Sequence, residues 1–195
     1  MTAIGHAGLP GIAALALGLV LFAAAVFVLR MRRPAETGGR RDPLSLLGIA
    51  LQAAGFAVVA TGPIAVTLDP LGGPALAAAV ATLVLLGGAL ALFLWAATTM
   101  GRQWSLVART RSDHALVTHG PFAYVRHPIY TALALVVVAM AAALGHEARL
   151  LVALPLYAAG TMVRVAIEER LLAAAFGTEH ATYAARVPRF IPGLL

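Results

Sequence analysis

The chain has 195 residues, of which 61% are hydrophobic and only 11% charged, and its mean hydropathy is +0.90. About a quarter of residues are charged in an ordinary soluble domain, so a water-soluble fold is excluded, and the chain reads as one compact membrane domain over residues 1–195. The formal charge of +6 comes from arginines alone, with no lysine; they cluster between apolar runs, which marks topology and argues against nucleic acid as a partner.

Leu9 to Leu29 forms the first apolar run, close to the roughly 20 residues that a hydrocarbon core needs. Positive charge follows it at Arg30, Arg32, Arg33, Arg40 and Arg41. A secretory signal has the reverse order, so a retained helix is expected. Leu44 to Leu68 reads as a second span, with a kink expected at Thr61 to Pro63. A tight turn at Asp69 to Pro74 leads to a third, charge-free span from Ala75 to Thr99.

The longest polar stretch follows, from Gly101 to His127, holding Arg102, Arg109, Arg111 and Arg126 with His114 and His119. Pro128 to Gly145 is the fourth span, with proline in a favourable first-turn position. A short link leads to the fifth, Leu150 to Ile167, and then to a tail whose first helical piece Gly177 can cap. The expected fold is therefore all-α, an integral membrane bundle of five transmembrane helices with a C-terminal helical segment. Residues 1–100 hold three spans and 101–195 the remaining two with the long loop and tail. No strands are expected.

If each span crosses once, the arginines of residues 30–41, 102–126 and the tail share one side, and Arg149 is the exception. The positive-inside rule then sets the amino terminus outside and the carboxy terminus in the cytoplasm. Alanine-rich, lysine-free usage fits a GC-rich bacterial genome, hence the inner membrane. Absence of cysteine excludes disulfides, thiolate metal sites and cysteine nucleophiles. His114 and His119, five apart with no third ligand nearby, read as solvated loop residues, so no metal site is expected.

The fifth span reaches Arg164 after only 14 apolar residues, and Glu168, Glu169 and Arg170 follow at once. An isolated pair of this kind is an ordinary snorkelling arginine with a helix-surface partner. Four ionisable groups in seven residues at a membrane boundary instead favour a bundle interior or wet cavity. Because the link between the last two spans is short, those spans are antiparallel neighbours. Arg126, His127 and Tyr130 should then lie near Arg164, Glu168 and Glu169. Taken singly, His127 is a capping histidine, and Tyr130, Trp95 and Trp104 are interfacial aromatics.

Two stretches carry a resemblance: "SLVARTRSDHALVTHGPFAYVRHPIYTA" and, some forty residues on, "RVAIEERLLAAAFGTEHATYAARVPRFIP". In their order of GPF-x-YVRHP-x-Y, EE-x-x-L, FG-x-x-H-x-x-Y and VPRFIP they resemble the isoprenylcysteine carboxyl methyltransferase family and its phospholipid methyltransferase relatives. The resemblance covers the last half of the chain; the first three spans match in hydropathy alone. It implies a small helical membrane enzyme that uses S-adenosyl-L-methionine and releases S-adenosyl-L-homocysteine. It assigns Arg126, His127, Pro128 and Tyr130 to the cofactor motif, with Arg126 and Pro128 shaping the turn. Glu168 and Glu169 become the acidic pair that holds the cofactor, and Arg164 stands near the methyl acceptor. Tyr183 and Arg189 fall in the tail that covers the cofactor in relatives, and Gln103 to Leu106 in a related loop segment.

The chemistry of these residue types agrees. Glutamates suit ribose hydroxyls and ammonium, and arginine or histidine suits a carboxylate. No Gly-rich strand-to-helix turn is present, which excludes a Rossmann-type methyltransferase. In-line methyl transfer needs neither metal nor covalent intermediate. The expected partners are membrane lipids and a lipophilic acceptor that enters sideways from the bilayer, while a water-soluble cofactor arrives from the cytoplasm. Carboxylate methylation, with Arg164 aligning the acceptor, is favoured over amine methylation, in which Glu168 would take the proton. The competing readings are a sterol-reductase-like enzyme using NADPH, whose chains are longer, and a non-catalytic lipid-binding bundle.

Overall fold

A computed structural model describes residues 4–31, 43–101 and 116–193. Over these residues the chain forms five α-helices: α1 (Leu9–Met31), α2 (Pro43–Ala60), α3 (Gly73–Met100), α4 (Pro128–Leu144) and α5 (Leu150–Ala184). Two three-residue strands, β1 (Gly5–Ala7) and β2 (Ile64–Val66), join them. In lipid every backbone N–H and C=O must be satisfied within the protein, so apolar runs of this length fold as helices.

By length and apolarity three helices can cross a membrane, namely α1, α3 and the helix beginning at Glu147. Two shorter apolar helices, α2 and α4, accompany them. The chain is an integral membrane protein. Its outward face is apolar, with Leu151 at 82% and Val84 at 68% exposure, as lipid contact requires.

Helix α5 packs along α2, α4 along α3, and α3 along α1. Close approach of α2 and α5 depends on glycine: a Cβ at Gly160 would stand 2.5 Å from the Gly48 carbonyl oxygen and 2.7 Å from the Gln52 nitrogen. Beside it, Gln52 Nε2 donates to Thr161 Oγ1 at 2.8 Å, both side chains buried. Helix α4 is the most enclosed, with Val137, Ala139 and Ala141 fully buried.

One end of the bundle gathers the start of α1, the end of α2 and the α4–α5 link. There β1 pairs in parallel with β2, in the register Gly5↔Ile64, His6↔Ala65 and Ala7↔Val66. His146 Nδ1 donates to the Val59 carbonyl at 2.8 Å, and Arg149 donates to the carbonyls of Val58, at 3.1 Å, and Thr61. Gly145 closes α4 in the left-handed conformation (φ 67°, ψ 30°), the usual helix stop. The opposite end gathers the start of α4 and the charged part of α5.

Two features differ from the sequence reading. The second span was expected to run kinked to Leu68, but α2 stops at Ala60: Pro63 cannot supply a helical N–H, and the chain straightens into β2. That ladder also departs from a strand-free fold, since Gly5 N donates to the Pro63 carbonyl at 3.0 Å and so begins the pairing. The fifth span and the first tail piece run on as one helix, which Gly177 interrupts in a non-helical conformation (φ 49°, ψ −119°) as expected, and a second helical piece follows to Ala184 within α5.

Candidate functional site

The charged end of α5 meets the first turn of α4. His127 occupies the N-cap position of α4 (φ −126°, ψ 58°), and Pro128 enters the first turn, where a missing N–H costs nothing. This start is fixed from outside the helix by the chain's last segment. The Arg126 and His127 amides donate to the carbonyls of Pro188 at 2.8 Å and Arg189 at 2.9 Å. Thr131 Oγ1 donates to the Phe190 carbonyl at 3.0 Å. Residues 187–190 thus form a strap across the start of α4.

Arg126 locks that strap. Its guanidinium donates to the Ala184 carbonyl at 2.8 Å and to the Val187 carbonyl, and to Glu169 Oε1 through Nη2 at 2.8 Å and Nε at 3.0 Å. Arg189 reaches the same carboxylate, with Nη2 at 2.8 Å and Nε at 3.2 Å from Oε2. That hydrogen bond, and the charge of Glu169, hold the Arg189 guanidinium above its ordinary pKa. Two arginines share one carboxylate, so this group carries one positive charge in excess.

His127 lies between the two glutamates, Nε2 at 3.3 Å from Glu169 Oε1 and Nδ1 at 3.7 Å from Glu168 Oε2. Its buried ring packs 5.9 Å from Phe190 and 6.0 Å from Tyr130. The Tyr130 hydroxyl donates to Glu168 Oε1. Arg164 Nη2 stands 3.6 Å from the same oxygen, with its guanidinium carbon 5.4 Å from the centre of the Tyr130 ring. A Cβ at Gly48 would fall 2.6 Å from Arg164 Cγ, so the bare backbone of α2 makes the slot in which Arg164 lies.

The structure therefore brings together Arg126, His127, Tyr130, Arg164, Glu168, Glu169 and Arg189, with Pro128 buried beneath them. Tyr183 is apart: its hydroxyl donates to the Phe122 carbonyl at 2.7 Å and ties the end of α5 to the turn at Gly120–Ala123. Gln103, together with Trp104, Arg102, Arg109, Arg111 and His114, lies outside the described residues. Among the described residues no group of three or more histidines and carboxylates could hold a metal ion.

Sequence reasoning passed over two residues here. Tyr157 donates its hydroxyl to the Tyr130 carbonyl at 2.7 Å, joining α5 to α4 inside the bundle. Nothing distinguished it from an apolar core position. His180 is 6% exposed, and its position within FG-x-x-H-x-x-Y was a signal available and unused.

A family model described as isoprenylcysteine carboxyl methyltransferase matches residues 76–174, about half of the chain. The cobalt-zinc-cadmium resistance protein CzcN of Cupriavidus metallidurans is 36% identical over 97 residues, covering 49% of this chain and 44% of that protein. The chain thus aligns with less than half the length of that relative. The family match contains the seam of α4 with α5 up to Glu169, and stops before His180, Tyr183 and Arg189.

Proposed function

The chain belongs to the isoprenylcysteine carboxyl methyltransferase family, and from that premise we propose that it transfers a methyl group from S-adenosylmethionine to a lipophilic acceptor at the cytoplasmic boundary of the inner membrane. The observation that carries this reading is the meeting of α4 and α5, where His127 and Tyr130 converge on Glu168 beside Arg164. The donor set fits the cofactor: it offers a carboxylate for a cationic or hydroxylated part and surplus positive charge for an anionic part.

The two glutamates divide the work. Glu169 is taken up by Arg126, Arg189 and His127 and holds the strap in place. Glu168 accepts from Tyr130 on one oxygen and keeps lone pairs for ligand, so it is the acid that faces the cofactor. The bound cofactor supplies an electrophilic methyl group on a sulfonium. Arg164, beside Glu168 and the Tyr130 ring, is the residue we assign to the acceptor, where it would align a carboxylate already ionised at neutral pH. Holding both reactants in line supplies most of the acceleration, with effective molarities that reach about 10⁵ M or more. An amine acceptor would need a base, and Glu168 is the one in position.

In this reading all five helices cross. At about 1.5 Å per residue, α2 and α4 are roughly 27 and 26 Å long, a little under the ~30 Å hydrocarbon core. The amino terminus is outside, and the site, the strap and the arginine-rich connections face the cytoplasm. The test is incubation of purified protein with methyl-labelled cofactor and a host membrane extract, with the labelled product identified. Calorimetric titration with S-adenosylhomocysteine and NADPH accompanies it. Labelled lipid and binding of S-adenosylhomocysteine alone are expected; binding of NADPH alone, or of neither, overturns the proposal.

A further inference from the structure

His180 sits in the part of α5 beyond the Gly177 bend, outside the residues covered by the family match. Its side chain is buried, and Nε2 has neither solvent nor a hydrogen-bond partner among the described residues. The other two buried histidines of the described residues are satisfied, His127 by the glutamates and His146 by the Val59 carbonyl. A buried ring nitrogen left unpaired weakens a fold, and a specific exception of this kind calls for a ligand or another role. On the same face of the helix one turn on, Tyr183 is tied to the Phe122 carbonyl at 2.7 Å and the Ala184 carbonyl accepts from Arg126 Nη1 at 2.8 Å. The ring therefore lies on the face of the helix that packs toward Arg126 and the charged cluster.

That cluster has one positive charge in excess, because Arg126 and Arg189 share Glu169. An N–H donor beside surplus positive charge suits an anion. S-adenosylmethionine carries one, the carboxylate of its amino-acid end. We propose that His180, as its Nε2–H tautomer, is the hydrogen-bond donor to that carboxylate. The proposal deepens the methyltransferase reading and rests on it. A ligand reaching Nε2 displaces side chains now packed over the ring.

The experiment titrates the full chain in detergent with S-adenosylhomocysteine and with its decarboxylated analogue, for the parent, His180→Phe and His180→Gln, and records thermal unfolding without ligand. His180→Phe should weaken S-adenosylhomocysteine about 10- to 100-fold, as loss of a hydrogen bond to a charged group does. It should leave the decarboxylated analogue unaltered, and the ligand-free Tm equal to or above the parent's. His180→Gln keeps an N–H donor and should recover most of the affinity. Equal losses for both ligands, no loss for either, or a lower ligand-free Tm in His180→Phe would assign the ring to packing and overturn the proposal. A parent that binds neither ligand overturns the methyltransferase reading, and this assignment with it.

Discussion

Glu168 and Glu169 are adjacent, alike and oppositely employed. Removing the charge at 169 leaves the guanidinium of Arg126, 9% exposed, without the carboxylate that neutralises it, and sets an amide N–H₂ against Arg189, which now bonds Oε2. Breaking a buried pair from one side costs about 3–5 kcal/mol; Glu169 is itself partly solvated, at 15% exposure, so Glu169→Gln should cost about 3 kcal/mol and release the strap. Glu168→Gln still accepts from Tyr130 and should cost about 1 kcal/mol or less, yet lower the affinity for S-adenosylhomocysteine at least tenfold. Thermal unfolding and ligand titration of both variants check this. If Glu168→Gln proves the less stable protein, or Glu169→Gln the weaker binder at equal stability, the division of roles is wrong. The acidic pair was plain in the sequence as a pair. Its split was not, because it depends on Arg189, twenty residues away and brought back by a strap that carries no periodicity.

Among the elements, the seam of α2 with α5 sets where Arg164 lies, since that side chain rests against Gly48. A methyl group at Gly160 meets backbone atoms that cannot swing aside. Gly160→Ala should therefore push the helices apart and destabilise by about 1–3 kcal/mol. At Gly87 on α3 a Cβ meets nothing within 4 Å, so Gly87→Ala should stabilise by about 0.5–1 kcal/mol through helix propensity alone. Unfolding of the two variants in detergent measures both; equal effects would mean that the seam yields, and that Arg164 is not held by it. The helices themselves were legible because each apolar run is bounded by proline, glycine or charge. The short link of residues 145–149 foretold that α4 and α5 are neighbours. That α5 packs mainly on α2 was not legible, since small residues at Gly48, Gly55 and Gly160 are read equally as lipid-facing. The end of α2 was misplaced because residues 64–68 are apolar in either conformation, and only pairing with Gly5–Ala7 makes them a strand.

For the whole molecule, the arrangement of helix ends argues for alternate crossings. The start of α1, the end of α2 and the end of α4 share one end through the β1–β2 ladder and His146. The start of α4 and the charged turns of α5 share the other. Arg149, the exception to the charge pattern of the proposed topology, donates to the Val58 and Thr61 carbonyls at the end of α2. Its place is thus explained by capping, and it does not count against the proposed orientation. Because the chain has no cysteine, a single introduced thiol reports its side without background. Leu71, 83% exposed, and His119, also exposed, lie at opposite ends and outside the charged cluster. In intact cells a membrane-impermeant maleimide should label Leu71→Cys within minutes and spare His119→Cys, which should react only after permeabilisation. The reverse pattern would invert the orientation and carry the site to the outer face, where a cytoplasmic nucleotide cofactor does not reach. Labelling of both from outside would mean that the chain between α3 and α4 does not return to the side proposed for it, and the five-crossing topology would fall.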